Sequence, residues 1–393
     1  MFTDGALRML VLLNFHLLGF SPIQLAYLFL IYEFMGTLTN FFGGYLVKRF
    51  GLIPILYSGL TIQTLSLIGL AVAPMDLGIT LSVFFVMIAQ GFSGVAKDLT
   101  KVSAKSAVKI LAPKTSNTTL FRWVAILTGS KNAMKGLGFL SGAVLLAIFD
   151  YVASLAILIG ILVFIFCAIV VSRPSLKYSK IRAVKFKNIF STDSRVNYLS
   201  LARLFLFGAR DVWFVVGVPI YFLEIFKNTT IFGGQSAFFL VGGFMAIWVI
   251  LYGVTQASTH KLFRNMDERR LKSNAVSWAS LSVVAPLLLA LAAFTYDNQT
   301  LVLTSSLVVG LLFFGAIFAV NSSLHSFLIL KYTTLDRAPL DVGFYYTANA
   351  SGRLLGTLMS GVSYEIGGLS LCLFTAFIFL MVATVCTKFI PAD

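Results

Sequence analysis

Apolar residues fall in long unbroken runs along this chain rather than in alternation. A bilayer-crossing helix needs about 20 such residues. Windows of that length predict spans near 1–19, 24–46, 53–73, 77–96, 129–149 and 152–172. A second set follows near 198–222, 236–257, 274–294, 301–324, 343–363 and 368–388. The pattern predicts an all-α membrane protein with twelve transmembrane helices in two six-helix halves. The halves are 1–172 and 198–393, joined by a basic linker over 173–197. A transmembrane β-barrel is excluded, because its strands would alternate.

Composition sharpens the class. Of 393 residues, 58% are hydrophobic and 11% charged, with mean hydropathy +0.92, so the partner is the lipid bilayer. The net charge of +15 would suggest nucleic acid in a soluble protein, but here its placement excludes that reading. Alternate connections between the spans, with the C-terminus, hold 23 of the 30 Lys and Arg, and the opposite connections hold only Lys227. Translocation disfavours such cations, so both termini and the linker are expected in the cytoplasm and the chain in the cell (inner) membrane. Lys97, Lys101, Lys105 and Lys109 repeat every four residues and form one helical stripe. Headgroup contact explains that stripe; an electrostatic funnel for anions is the alternative.

The first span holds Asp4 and Arg8 and only about ten apolar residues after them. Either Met1 is an internal start, the favoured reading, or the helix is short. Cys167, Cys372 and Cys386 lie inside apolar runs and behave as hydrophobes. No nucleophile–base pair, metal-ligand spacing, cofactor motif or sizeable soluble domain is visible. An enzyme is therefore not expected, nor a metal or cofactor.

Charges inside spans are the informative residues, since each costs about 2.5–3.5 kcal/mol to insert and normally faces water or a partner. Six cations remain after the connections are counted, Arg8, Lys131, Lys135, Arg203, Arg210 and Arg353, with three acids, Asp4, Glu33 and Asp211. Asp4 and Arg8 are four apart and could pair. Lys131 and Arg203 lie near span ends and could snorkel to the headgroups. Arg210 and Arg353 sit halfway along their spans, and Asp211 points about 100° away from Arg210, so it is not expected simply to neutralise it. The excess of positive charge predicts a small anionic substrate, because guanidinium forks match phosphate and carboxylate oxygens. The six cations are the candidate substrate-binding residues, and the three acids are candidates for coupling or charge balance. Asn321, Ser322, Ser323 and His325 are explained by a helix terminus, and Trp213, Trp248, Tyr345 and Tyr346 by packing or interfacial anchoring.

Internal duplication is suggested by an echo. The fifth span reads Asn132-Ala133-Met134-Lys135-Gly136-Leu137-Gly138 and then Ser141-Gly142. The eleventh reads Asn349-Ala350-Ser351-Gly352-Arg353-Leu354-Leu355-Gly356 and then Ser360-Gly361. At the first basic connection, Gly43-Gly44-Tyr45-Leu46-Val47-Lys48-Arg49-Phe50-Gly51 resembles the loop signature of the major facilitator superfamily, with Lys48 in the usual place of Asp. Gln90-Gly91 resembles a second signature, with Met87 where Arg is usual. That resemblance implies that helices one, five, seven and eleven face a central cavity, where Arg8, Lys135, Arg210 and Arg353 would converge.

Longer blocks carry a narrower resemblance. Thr3-Asp4-Gly5-Ala6-Leu7-Arg8-Met9-Leu10, Gly94-Val95-Ala96-Lys97-Asp98-Leu99-Thr100-Lys101 and Gly208-Ala209-Arg210-Asp211-Val212-Trp213-Phe214 are similar to the organoarsenical efflux permeases of the ArsJ type. Lys105-Ser106-Ala107-Val108-Lys109 and Thr128-Gly129-Ser130-Lys131-Asn132-Ala133 share it. The resemblance implies export of 1-arseno-3-phosphoglycerate by alternating access, conferring arsenate resistance. It also implies a functional link to a glyceraldehyde-3-phosphate dehydrogenase. The alternatives are a proton-coupled transporter of other phosphorylated metabolites and a drug exporter of the same superfamily.

Overall fold

The computed structural model describes residues 1–73, 79–111, 117–172, 191–228, 236–263, 268–296, 301–333 and 338–391. Regular structure among them is helical: α1 (Phe2–Leu17), α2 (Pro22–Phe50), α3 (Leu52–Ala71), α4 (Ile79–Leu111), α5 (Asn117–Ile148) and α6 (Tyr151–Ser172). Then come α7 (Ser194–Val212), a π turn (Trp213–Gly217), α8 (Val218–Asn228), α9 (Ser236–Phe263), α10 (Glu268–Thr295), α11 (Leu301–Tyr332) and α12 (Ala338–Lys388). The π turn joins α7 and α8 into one rod. The chain folds back within α12 at Gly367 and Gly368, where Gly368 takes φ +61°. Two arms of α12 and one α7–α8 rod make the count compatible with the twelve expected spans. Among the described residues nine helical segments are long and apolar enough to cross a bilayer.

Most of the linker, 173–190, lies outside the described residues, as do Lys114 and the side chains of Lys48, Lys105, Lys109 and Arg122. Gly51, which closes the loop signature, has φ +89° between α2 and α3, where a side chain would be strained. Outer and inner helices differ by sequence. α6 is apolar all round and leaves Phe164 and Val171 exposed, as a lipid-facing helix does, whereas residues 211–223 along the α7–α8 rod are all buried.

Small residues set the close approaches. A Cβ on Gly138 or Gly142 of α5 would collide with the carbonyl oxygens of Phe2 or Ala6 on α1. A Cβ on Gly352 or Gly356 of α12 would meet those of Leu204 or Gly208 on α7 in the same way. The two halves therefore repeat one glycine zip. The sequence echo has the wrong register, however. It aligns Asn132 with Asn349, while the backbone contacts align Gly138 with Gly352, three residues out of step. The halves meet where α2 packs on α12 and α5 on α9.

Several helices run further than their apolar spans. α4, α5 and α11 contain 33, 32 and 32 residues, and each extends toward the end of the bundle that carries the basic connections. At about 1.5 Å per residue, Lys135 lies about 20 Å from the end of α5 at Ile148, and Arg353 about 21 Å from the Gly367 bend. Both are mid-bundle.

Candidate functional site

Three arginines from three helices share two buried carboxylates at this level. Arg8 Nη2 of α1 donates to Glu33 Oε1 of α2 at 2.7 Å, and Arg353 Nη2 of α12 donates to the same oxygen at 2.5 Å. Arg353 Nε also donates to Asp211 Oδ2 at 3.2 Å, while Arg210 Nε donates to Asp211 Oδ1 at 2.6 Å. Glu33 and Asp211 are each 1% exposed, and Arg353 and Arg210 keep 13% and 14% of their side chains accessible. The link from Glu33 to Arg353 crosses between the halves. Two expectations need correction. Asp211 does neutralise Arg210 directly, because the long guanidinium stem swings across the 100° that separates the two residues. Asp4 does not pair with Arg8; the Tyr32 hydroxyl donates to Asp4, and Arg8 turns to Glu33.

Lys135 differs from these arginines. Its ammonium lies 5.3 Å from the Phe139 ring centroid and has no carboxylate partner among the described residues. It is close enough to Arg8, Arg353, Asp4 and Arg210 to interact with their charges.

Residues missing from the candidate set complete this level. Lys97 Nζ sits 4.1 Å from the Tyr32 centroid and 3.5 Å from Asp98 Oδ2, and Lys101 reaches Asp98 Oδ1 at 2.8 Å and Asn40 at 3.0 Å. Lys97 and Asp98 are buried, so this part of the lysine stripe faces the bundle interior rather than headgroups. Lys131 lines a cavity of about 200 Å³ with Lys101, Thr100 and Met134. The signal was present in Asp98, an acid set among lysines of the stripe.

Arg203 does not snorkel. It is 4% exposed, donates from Nε to Asn349 Oδ1 at 3.1 Å, and donates from Nη1 to the Ser322 carbonyl and hydroxyl at 2.9 and 3.0 Å. Its Cζ stands 4.1 Å from the Phe207 centroid and 5.1 Å from that of Tyr345. No carboxylate pairs with it among the described residues. Gln256 joins this network by donating to Ser322 Oγ at 3.4 Å and accepting from Asn132 at 3.1 Å. Asn321, Ser322, Ser323 and His325 are thus not a helix terminus, since α11 continues to Tyr332 and all four are buried.

Toward the opposite end the site is sealed. A void of about 10 Å³, room for one water at most, touches Arg8, Phe139 and Phe214. Beyond it Phe139 and Phe214 stand 5.8 Å apart, Phe214 and Trp248 5.0 Å, and Trp213 and Trp248 5.3 Å. Trp213 and Trp248 are packing residues of this plug rather than interfacial anchors. The arrangement is a largely buried layer of charged side chains with more cations than acids among the described residues. Eight Lys and Arg (Arg8, Lys97, Lys101, Lys131, Lys135, Arg203, Arg210, Arg353) face four acids (Asp4, Glu33, Asp98, Asp211). Among the described residues no three His, Cys, Asp or Glu gather as a metal site.

A family model described as Major Facilitator Superfamily matches residues 1–357. No curated protein matches the chain. Among solved structures it is similar to the nucleoside transporter NupG, with TM-score 0.70 and 16% identity over 98% of this chain and 94% of that one. It is similar to the human organic anion transporter MFSD10 (TETRAN), with TM-score 0.63 and 16% identity over 92% and 83%. A bacterial homologue of the iron transporter ferroportin, in an outward-facing state, gives TM-score 0.62 and 14% identity over 98% and 96%.

Proposed function

Because the chain belongs to the major facilitator superfamily, whose members are membrane transporters rather than enzymes, we propose that it exports a small organic polyanion by alternating access. The observation that carries this reading is the charge balance of this layer. Three arginines share Glu33 and Asp211, and Lys135 and Arg203 hold no carboxylate among the described residues. A multiply negative guest relieves that excess; a lipophilic cation or a neutral sugar would not. The six cations Arg8, Lys131, Lys135, Arg203, Arg210 and Arg353 bind it, Glu33 and Asp211 partner the arginines when the site is empty, and Asp4, held by Tyr32, contributes to charge balance. The ArsJ-type blocks favour 1-arseno-3-phosphoglycerate as the cargo, supplied by a glyceraldehyde-3-phosphate dehydrogenase acting on arsenate. Its phosphate carries about −1.5 to −2, and it offers no soft arsenic that would need thiolates.

With the basic end in the cytoplasm, the sealed aromatic plug lies on the outer side. Each negative charge moved outward across an inside-negative membrane gains about 2.3 kcal/mol per 100 mV. A trianion thus gains roughly 7 kcal/mol, and obligatory proton coupling is unnecessary. The test is transport in vesicles that hold the full chain, with dehydrogenase, glyceraldehyde 3-phosphate, NAD and arsenate outside. Arsenic is expected to enter vesicles whose transporters face basic-end out only when the dehydrogenase is active. Equal entry of arsenate without the enzyme refutes the ester as cargo.

A further inference from the structure

The α7–α8 rod changes register at the aromatic plug. Trp213–Gly217 form a π turn, in which the Trp213 carbonyl accepts from Val218, five residues on, rather than from Gly217 as an α-helix would have it. The amides of Val216 and Gly217 donate to Ser360 Oγ of α12, at 3.1 and 3.3 Å. Ser360 is fully buried, and its hydroxyl has the two lone pairs that this arrangement needs. An α-helix would use both amides along its own backbone, so this acceptor favours the π register. Pro219 follows at once and has no N–H to give a carbonyl of the turn in either register. The backbone is thus already a hydrogen bond short at the next place the extra residue could occupy.

Both ends of the rod are held. Below the turn, Gly352 and Gly356 of α12 close on Leu204 and Gly208 of α7. Beyond it, the Tyr364 hydroxyl donates to Glu224 Oε2 of α8 at 3.2 Å. The turn between them carries the plug residues Trp213 and Phe214, and the void of about 10 Å³ beside it is lined by Phe214, Val215, Pro219 and Met245.

We propose that this π turn is the moving part of the outer gate, and that Ser360 is the positioning residue that keeps it shut. When the hydroxyl releases the two amides, the extra residue passes from the turn toward Pro219. The side chains between rotate by about 100° and shift by about 1.5 Å along the axis. Phe214 then leaves Phe139 and Trp248, while α7 and the far end of α8 stay docked. This inference rests on the alternating-access reading and is independent of which anion is carried.

The test uses Met245→Cys in the full chain, since Met245 is buried beside the void. Its modification by a membrane-impermeant maleimide, added outside intact cells, is followed in time and corrected for the same variant without Met245→Cys. Ser360→Ala is expected to raise the rate at least tenfold, and Ser360→Thr, which keeps the hydroxyl, to stay within threefold of native. Pro219→Ala restores a backbone donor and is expected to lower the raised rate of Ser360→Ala at least threefold. Ala143→Cys, buried in the α5–α9 seam, is the control and is expected to react equally slowly in all variants. Unchanged labelling in Ser360→Ala, equal acceleration in Ser360→Thr, or acceleration at Ala143→Cys as well overturns the gate. Should Ser360→Thr fail to fold, Pro219→Ala decides alone, and an unslowed rate overturns the gate. Export of 3-phosphoglycerate, a stable polyanion, is measured in parallel: its absence with the labelling rates as expected removes the polyanion reading and leaves the gate standing.

Discussion

Glu33→Gln separates a charge-balancing role from a purely structural one. The carboxylate accepts from Arg8 at 2.7 Å and from Arg353 at 2.5 Å while 1% exposed, so the substitution leaves two guanidinium groups short of an anion in a dry site. Removing one partner of a buried pair costs about 3–5 kcal/mol. The amide oxygen still accepts a neutral hydrogen bond worth about 1 kcal/mol, so a loss of about 2–4 kcal/mol in stability is expected. An anionic ligand then takes over the freed donors. One recovered charge-assisted hydrogen bond, about 1.5–3 kcal/mol, tightens binding roughly ten- to a hundredfold. Thermal unfolding followed through the buried Trp213 and Trp248, titrated with 3-phosphoglycerate, reads both effects: a lower midpoint without ligand and a larger ligand-induced rise than native. Net efflux falls because the empty carrier, no longer neutralised, returns slowly, whereas exchange of ligand for ligand persists. A variant that is less stable and also binds 3-phosphoglycerate more weakly would refute the idea that Glu33 competes with the substrate.

Gly352→Ala drives a Cβ into the Leu204 carbonyl, and Gly243→Ala meets nothing within 4 Å. The first is expected to cost about 1–3 kcal/mol and the second to be neutral or stabilising, as read by monodispersity on heating. Arg210→Ala and Arg353→Ala are expected to abolish 3-phosphoglycerate binding without sensitising cells to lipophilic dyes; protection against dyes that depends on the native chain would favour a drug exporter. Asp193 caps α7 by accepting from the Arg195 amide at 2.8 Å, and its hydrogen bonds from the Arg195 side chain hold its carboxyl below the usual range. Its contribution is full above the ordinary carboxylate pKa and fades as pH falls through the lowered value. Asp193→Ala is therefore expected to cost about 0.5–2 kcal/mol near neutrality and less in acid, measured by unfolding midpoints against pH.

The helical class was legible in the apolar runs because lipid imposes their length, and the mid-span positions of Arg210 and Arg353 pointed to the buried ion-pair cluster they form with Asp211 and Glu33. The four-residue spacing of Lys97, Lys101, Lys105 and Lys109 carried the basic-side extension of α4, but those of α5 and α11 were not legible, for one physical reason. A hydropathy window treats every helix as lipid-facing, but the faces bearing Lys97, Lys131, Ser322 and His325 meet a polar interior, so the windows stopped where that interior begins. The partners of Arg8 and Arg203 were illegible because they come from other helices at separations of 25, 119 and 146 residues, which local spacing cannot encode. Within one helix the i, i+4 rule offered Asp4 to Arg8, and a tertiary carboxylate displaced it.

The most direct measurement is the current across a membrane patch that holds the reconstituted full chain, with 3-phosphoglycerate or the arseno-ester on the basic side and equal pH on both faces. Outward movement of negative charge is expected to follow the organic anion, grow with an inside-negative potential and vanish in Arg353→Gln. No current under those conditions, or a current carried equally by lipophilic cations, would contradict transport of a polyanion through this layer of charges.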